Sequence, residues 1–230
     1  MSEISEEKYT CAVTRFIYVW EGPVRVSHWL NFICIIILSV TGAYIHYPFI
    51  QVTGGTTTPY VMGWFRFAHY LTGMIFILSI LVRALWFFIG GAQSSFRGIP
   101  SIFKKNDRKT FFAYLKYYIF LRKNVPHTLG HNPVAVAAYI VLFTLFILQI
   151  ITGLALWAQY NPNGLLYSMF GWVFGMVSNQ SARFYHYILM YFIGGFVINH
   201  IYSAVIFDFK TRSGEISSIF SGWKPERVGK

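Results

Sequence analysis

A chain of 230 residues that is 55% hydrophobic, 20% aromatic and only 12% charged is too apolar for an ordinary water-soluble domain and takes a bilayer as its solvent. Its net charge of +11 invites a nucleic-acid reading. The basic residues are instead distributed as a membrane topology distributes them, so nucleic acid is not expected as a partner. Two cysteines, Cys11 and Cys34, support neither a disulfide framework nor a thiolate metal centre, and Cys34 reads as packing.

The chain starts with the acidic, polar stretch MSEISEEKYTCAVTRF. The apolar run that follows comes too late and runs too long for a cleaved signal peptide, which reads as a mature N-terminus. Spans are predicted at 26–46, 67–89, 133–157 and 184–207, each close to the roughly 20 residues that cross about 30 Å of hydrocarbon. Unbroken runs of this length are helices, since a barrel shows short alternating segments. Between the second and third spans, TFFAYLKYYIFLRK (110–123) mixes aromatics with Lys116, Arg122 and Lys123. That pattern predicts an amphipathic interfacial helix in the 90–132 loop. Asn132 and Pro133 form a natural start for the third span. Gly42, Gly73, Gly153, Gly194 and Gly195 stand inside spans, where they allow close helix packing or leave room for a flat cofactor. The expected fold is an all-α membrane protein, a four-transmembrane-helix bundle forming one domain over 1–230.

Lysine and arginine outside the spans set the orientation. The segment through Arg25 holds three, the 90–132 loop eight and the tail five, while the other two loops hold only Arg66 and Arg183. The positive-inside rule puts both termini and the long loop in the cytoplasm.

Six of the seven histidines lie at or inside a span or its first turn: His28, His46, His69, His131, His186 and His200. Ionisable groups at such depth are functional candidates, and the plain alternative for any one is a neutral ring hydrogen-bonded between helices. In RFYHYILMYFIGGFVINHIY (183–202), His186 and His200 stand fourteen positions apart. That interval rises about 21 Å and returns to nearly the same helix face. Each ring is suited to be one axial ligand of a separate haem, if another helix supplies the opposing imidazole. The topology puts His69 at the outer level with His186, and His28 at the inner level with His200. His46, five turns from His28 on the same face, could compete for the outer haem, although its place before Tyr47-Pro48 suits the end of a span. Arg25, Arg66 and Arg183 each precede a ligand histidine by three positions, one turn outward, where a guanidinium can pair with a haem propionate.

RVSHWLNFICIIILSVTG (25–42) and RFYHYILMYFIGGFVINH (183–200) resemble the two signatures of the b-type cytochrome subunit of membrane-bound nickel-iron hydrogenases. The resemblance extends to Arg66-x-x-His69-x-x-x-Gly73, to GHNP at 130–133 and to Ile151-Thr152-Gly153. It implies a dihaem cytochrome b of the bacterial inner membrane, ligated by His28, His69, His186 and His200. Phe184, Tyr187 and Tyr191 depart from the family pattern, Tyr187 standing where a basic residue is usual. The resemblance also implies a relay. A periplasmic hydrogenase, with a large nickel-iron subunit, passes electrons through its iron-sulfur small subunit to the outer haem b, then the inner haem b, then quinone, menaquinone or ubiquinone. His131, Asn132, His127 and Tyr118 are candidates for the quinone site at the cytoplasmic edge. Three alternatives stay open: a cytochrome b subunit of a formate dehydrogenase or thiosulfate reductase, a transporter with proton-relay histidines, and a structural anchor.

Overall fold

The computed structural model describes residues 13–49, 60–91, 94–98, 105–118, 121 and 133–228. In chain order its elements are strand β1 (Val13–Tyr18), helices α1 (Gly22–His46) and α2 (Val61–Ile89), a 3-10 turn at Phe96–Gly98, and helices α3 (Lys105–Tyr118) and α4 (Pro133–Ala158). The short helices α5 (Leu165–Phe170) and α6 (Val173–Met176), the long α7 (Asn179–Thr211), α8 (Glu215–Ser221) and strand β2 (Trp223–Val228) follow.

Helices α1, α2, α4 and α7 are long and apolar enough to cross a membrane, the four spans that the sequence predicts. Three of them begin earlier than their apolar stretches. Helix α7, at 33 residues, is about 50 Å long, more than the roughly 30 Å of hydrocarbon requires. Local chemistry sets those ends. Pro23 occupies the first turn of α1, where its missing N–H costs nothing. Ser178 Oγ accepts from the Ser181 N–H at 3.1 Å and starts α7 ahead of its lipophilic part. The amphipathic helix of the long loop is α3. It begins at Lys105, earlier than the predicted 110–123, and most of that stretch past Tyr118 lies outside the described residues.

Helix α1 packs on α2, α4 packs on α7, and α1 touches α7. Cys34, Phe76, Ile80, Phe146 and Ile193 form a buried layer to which every spanning helix contributes. Phe76 and Phe146 meet edge to face with ring centres 5.0 Å apart. Cys34 is 2% exposed within this layer, as its reading as packing expects.

No strand is expected from the sequence, yet β1 and β2 form an antiparallel ribbon. The stretch VTRFIY is rich in β-branched and aromatic residues, and Tyr18 sits opposite Trp223 with ring centres 5.1 Å apart. Gly222, at φ 90°, makes the approach to the ribbon, since a Cβ there would lie 2.6 Å from Tyr18 Cε2. The Asp208 carboxylate accepts from the N–H groups of Glu215 and Ile216 at 2.9 and 3.2 Å, capping α8, and Glu215 pairs with Lys224. The ribbon puts the first and last described residues on the same side of the bundle.

Glu21 ties the start of α1 to the end of α2. Its carboxylate accepts from Trp86 Nε1 at 2.5 Å and from the Gly91 N–H at 3.1 Å. Glu21→Ala strands both donors and is expected to cost about 1–2 kcal/mol. The check is a lowered thermal unfolding midpoint in detergent at unchanged helical content.

Candidate functional site

Helix α7 brings each of its two histidines against a ring from another helix. The His200 and His28 ring centres are 6.2 Å apart with planes inclined 60°. Those of His186 and His69 are 6.4 Å apart and inclined 73°. The pairs form two tiers about 21 Å apart along α7, the one called inner on the side of the β1–β2 ribbon and the one called outer away from it. Seven positions from each α7 histidine stands Ile193, in the apolar layer with Phe76 and Phe146. A packed apolar layer thus lies between the tiers.

Donor chemistry and spacing fit a metal between the rings. An imidazole nitrogen sits about 2 Å from a bound transition metal and about 1.1 Å from its own ring centre, so two rings on opposite sides of one metal have centres roughly 6.3 Å apart. Both pairs have that separation, and no ring-to-ring hydrogen bond joins either among the described residues. At Gly194 and Gly195, between the tiers on α7, a Cβ would find nothing within 4 Å. Gly195 is exposed and about half a turn from the histidine face, and Gly194 is partly exposed, so this openness is outer surface rather than a cavity between the helices.

The outer rings are gripped from behind. Thr41 Oγ1 lies 2.8 Å from His69 Nδ1 and Thr152 Oγ1 lies 2.9 Å from His186 Nδ1. Each threonine precedes a glycine against the same ring: a Cβ would come 3.3 Å from His69 Cε1 at Gly42, and 2.9 Å from His186 Cε1 at Gly153. Gln149 Nε2 stands 3.4 Å from His186 Nε2, at the limit of a hydrogen bond, and Gln149 Oε1 is buried without a partner. The inner tier is built differently. Phe196 stacks on His200 at 5.8 Å, Trp29 stacks on Phe220 of α8 at 4.5 Å, and His28 Nδ1 is buried without a hydrogen-bond partner.

Arg25 Nη1 donates to the Phe220 carbonyl at 2.5 Å, while its buried Nε has no partner, a donor that an acidic cofactor substituent beside His28 would satisfy. Arg66 and Arg183 are exposed, and Arg183 Nε donates to Asn179 Oδ1 at 2.7 Å. His46 ends α1 and stacks on Tyr187 at 3.7 Å, whose hydroxyl bonds that of Tyr191 at 2.6 Å. His127, His131 and Asn132 lie outside the described residues, as does the side chain of Tyr118.

Sequence reasoning passed over Arg83, the single lysine or arginine inside the predicted spans. Fourteen positions after His69, it repeats on α2 the interval of the α7 histidines. Its guanidinium lies 5.5 Å from the Tyr139 ring centre, a cation–π contact that eases the charge at that depth. It also passed over Gln149 and the contacts of Thr41 and Thr152, which a periodicity of apolar residues does not register.

A family model described as prokaryotic cytochrome b561 matches residues 19–222. Relatives include a protein from Rhodobacter capsulatus named probable Ni/Fe-hydrogenase B-type cytochrome subunit, 38% identical over 92% of this chain and 84% of its own. A protein of the same name from Bradyrhizobium diazoefficiens is 37% identical, over 90% of this chain and 85% of its own. The probable Ni/Fe-hydrogenase 1 B-type cytochrome subunit of Escherichia coli K12 is 33% identical, over 93% and 92%. With four membrane-length helices and a match that spans all of them, the chain belongs to the prokaryotic cytochrome b561 family.

Proposed function

We propose that this chain is a membrane-anchoring dihaem cytochrome b that carries electrons from the iron-sulfur small subunit of a periplasmic nickel-iron hydrogenase to quinone. The observation that carries the proposal is the pair of imidazole tiers, with ring centres 6.2 and 6.4 Å apart. The names of the relatives support the hydrogenase as partner, and the concentration of lysine and arginine at the ends and in the long loop supports cytoplasmic termini in a bacterial inner membrane. The whole chain, 1–230, acts as one membrane domain.

His69 and His186 hold the outer haem b, and His28 and His200 the inner. Haem b bound at each tier supplies a one-electron carrier, and two carriers divide the membrane into shorter hops. Held by the two imidazoles of a tier, a bound haem would serve electron transfer rather than oxygen chemistry. Phe76, Phe146 and Ile193 exclude water between the tiers, and Arg25, Arg66 and Arg183 offer charge to the propionates. Electrons enter at the outer tier and leave at the inner, where His131, Asn132, His127 and Tyr118 are the proposed neighbours of quinone.

The test is spectroscopic and functional. Purified chain reduced with dithionite is expected to show a b-type α band and two extractable haems b. Membranes holding it with its hydrogenase are expected to reduce quinone with hydrogen. Absence of the band overturns the cytochrome; two haems that no hydrogenase reduces overturn the partner.

A further inference from the structure

The two outer histidines sit in matching grips on different helices. A threonine hydroxyl has one proton. Thr41 gives it to the Ile37 carbonyl at 2.7 Å and leans on the Leu38 carbonyl at 3.3 Å. Thr152 gives it to the Leu148 carbonyl at 2.7 Å and leans on the Gln149 carbonyl at 3.2 Å. With that proton committed to its own helix, each oxygen can only accept from the ring it faces. The Leu38 and Gln149 carbonyls also interact with the His69 and His186 rings, and a carbonyl too can only accept. Donor accounting therefore puts the hydrogen on Nδ1 of both rings and leaves Nε2 as the lone pair.

We propose that Thr41-Gly42 and Thr152-Gly153 are two copies of one clasp that fixes the tautomer of His69 and His186, presents Nε2 to iron and makes the outer tier the lower in potential. The threonine supplies the acceptor, and the glycine leaves room for the ring edge at Cε1. This rests on the dihaem reading above. An Nδ1–H given a firm acceptor makes the other nitrogen a stronger donor to metal, which favours oxidised iron. The inner tier has no such grip, His28 Nδ1 being buried without a partner among the described residues. Thr41 and Thr152 are thus positioning residues that make a one-electron step from outer to inner tier run downhill.

Thr41→Val and Thr152→Val remove the acceptor and keep the shape. Redox titration of the α bands and low-temperature electron paramagnetic resonance of the low-spin irons read the result. Each valine variant is expected to raise one of the two midpoint potentials and shift one low-spin signal. The other haem stays unmoved. Thr41→Ser and Thr152→Ser are expected to restore both readings. Thr144 is the control: its hydroxyl makes the same bond, to the Ile140 carbonyl at 2.9 Å, on an exposed face, and Thr144→Val is expected to change nothing. A valine variant that loses one haem, regained with serine, also supports the clasp. Unmoved potentials, joint movement of both haems, an equal shift from Thr144→Val, or failure of serine to restore would each overturn it. Wild-type protein with two haems and unresponsive variants overturns the clasp alone, whereas wild type without haem overturns the dihaem reading as well.

Discussion

His186→Ala is expected to remove one of two haems per chain, halve the reduced α-band absorbance and bring hydrogen-dependent quinone reduction to background. The geometry predicts a local loss. His186 faces one ring, His69, at 6.4 Å, and the inner pair lies about 21 Å farther along the helix, beyond the packed layer of Cys34, Phe76, Phe146 and Ile193. That layer needs no cofactor to close, so the inner tier keeps its shape. His69→Ala is expected to give the same phenotype. His28→Ala and His200→Ala are expected to remove the other haem. His46→Ala is expected to leave both, because His46 is engaged with Tyr187. Haem counted per chain, with helical content measured in parallel, is the check; two haems retained in His186→Ala would sink the assignment.

The next-largest expected effect comes from a single methyl group. Gly153→Ala puts a Cβ 2.9 Å from His186 Cε1, closer than real Cβ contacts allow, so the ring must turn. Turning it lengthens the 2.9 Å contact with Thr152 and alters how the ring is set against His69, 6.4 Å away. Disturbing a ligand's supporting contacts typically costs about 10–100-fold in metal affinity, and loss of outer haem on dilution is expected in that range. Gly42→Ala makes a looser contact, 3.3 Å from His69 Cε1, and is expected to do less. Equal losses at the two positions would show that ring displacement is not the cause.

The spans were legible because every one must bury its backbone polar groups in a single helix and dress it with apolar side chains, a demand written in consecutive residues. The ring pairs were legible too, since a fourteen-residue interval on α7 and the alternating direction of successive spans leave His28 and His69 few other levels to occupy. Helix ends were less so. Ser178 and Pro23 act through one bond or one fixed dihedral, and the polar first turn of α7 carries no apolar signal. The ribbon was invisible, because Tyr18 and Trp223 find each other across nearly the whole chain and neither β1 nor β2 alternates strongly enough to be read alone. Arg83 was visible as a charge in an apolar run, yet only the position of Tyr139 on another helix shows what faces it. The grips at Thr41 and Thr152 depend on contacts between helices that no local pattern encodes.

Residues that open the described chain pair with residues that close it, Val13 with Val228. Both imidazole pairs likewise draw one member from an early helix and the other from α7. Biosynthesis therefore delivers every partner late: β1 waits on an unpaired edge, and His28 and His69 wait without opposing rings, until the last span has left the ribosome and settled. On the dihaem proposal, cofactor uptake waits for α7 to be in place, and a chain truncated before α7 is expected to enter the bilayer with its early helices but to hold no haem.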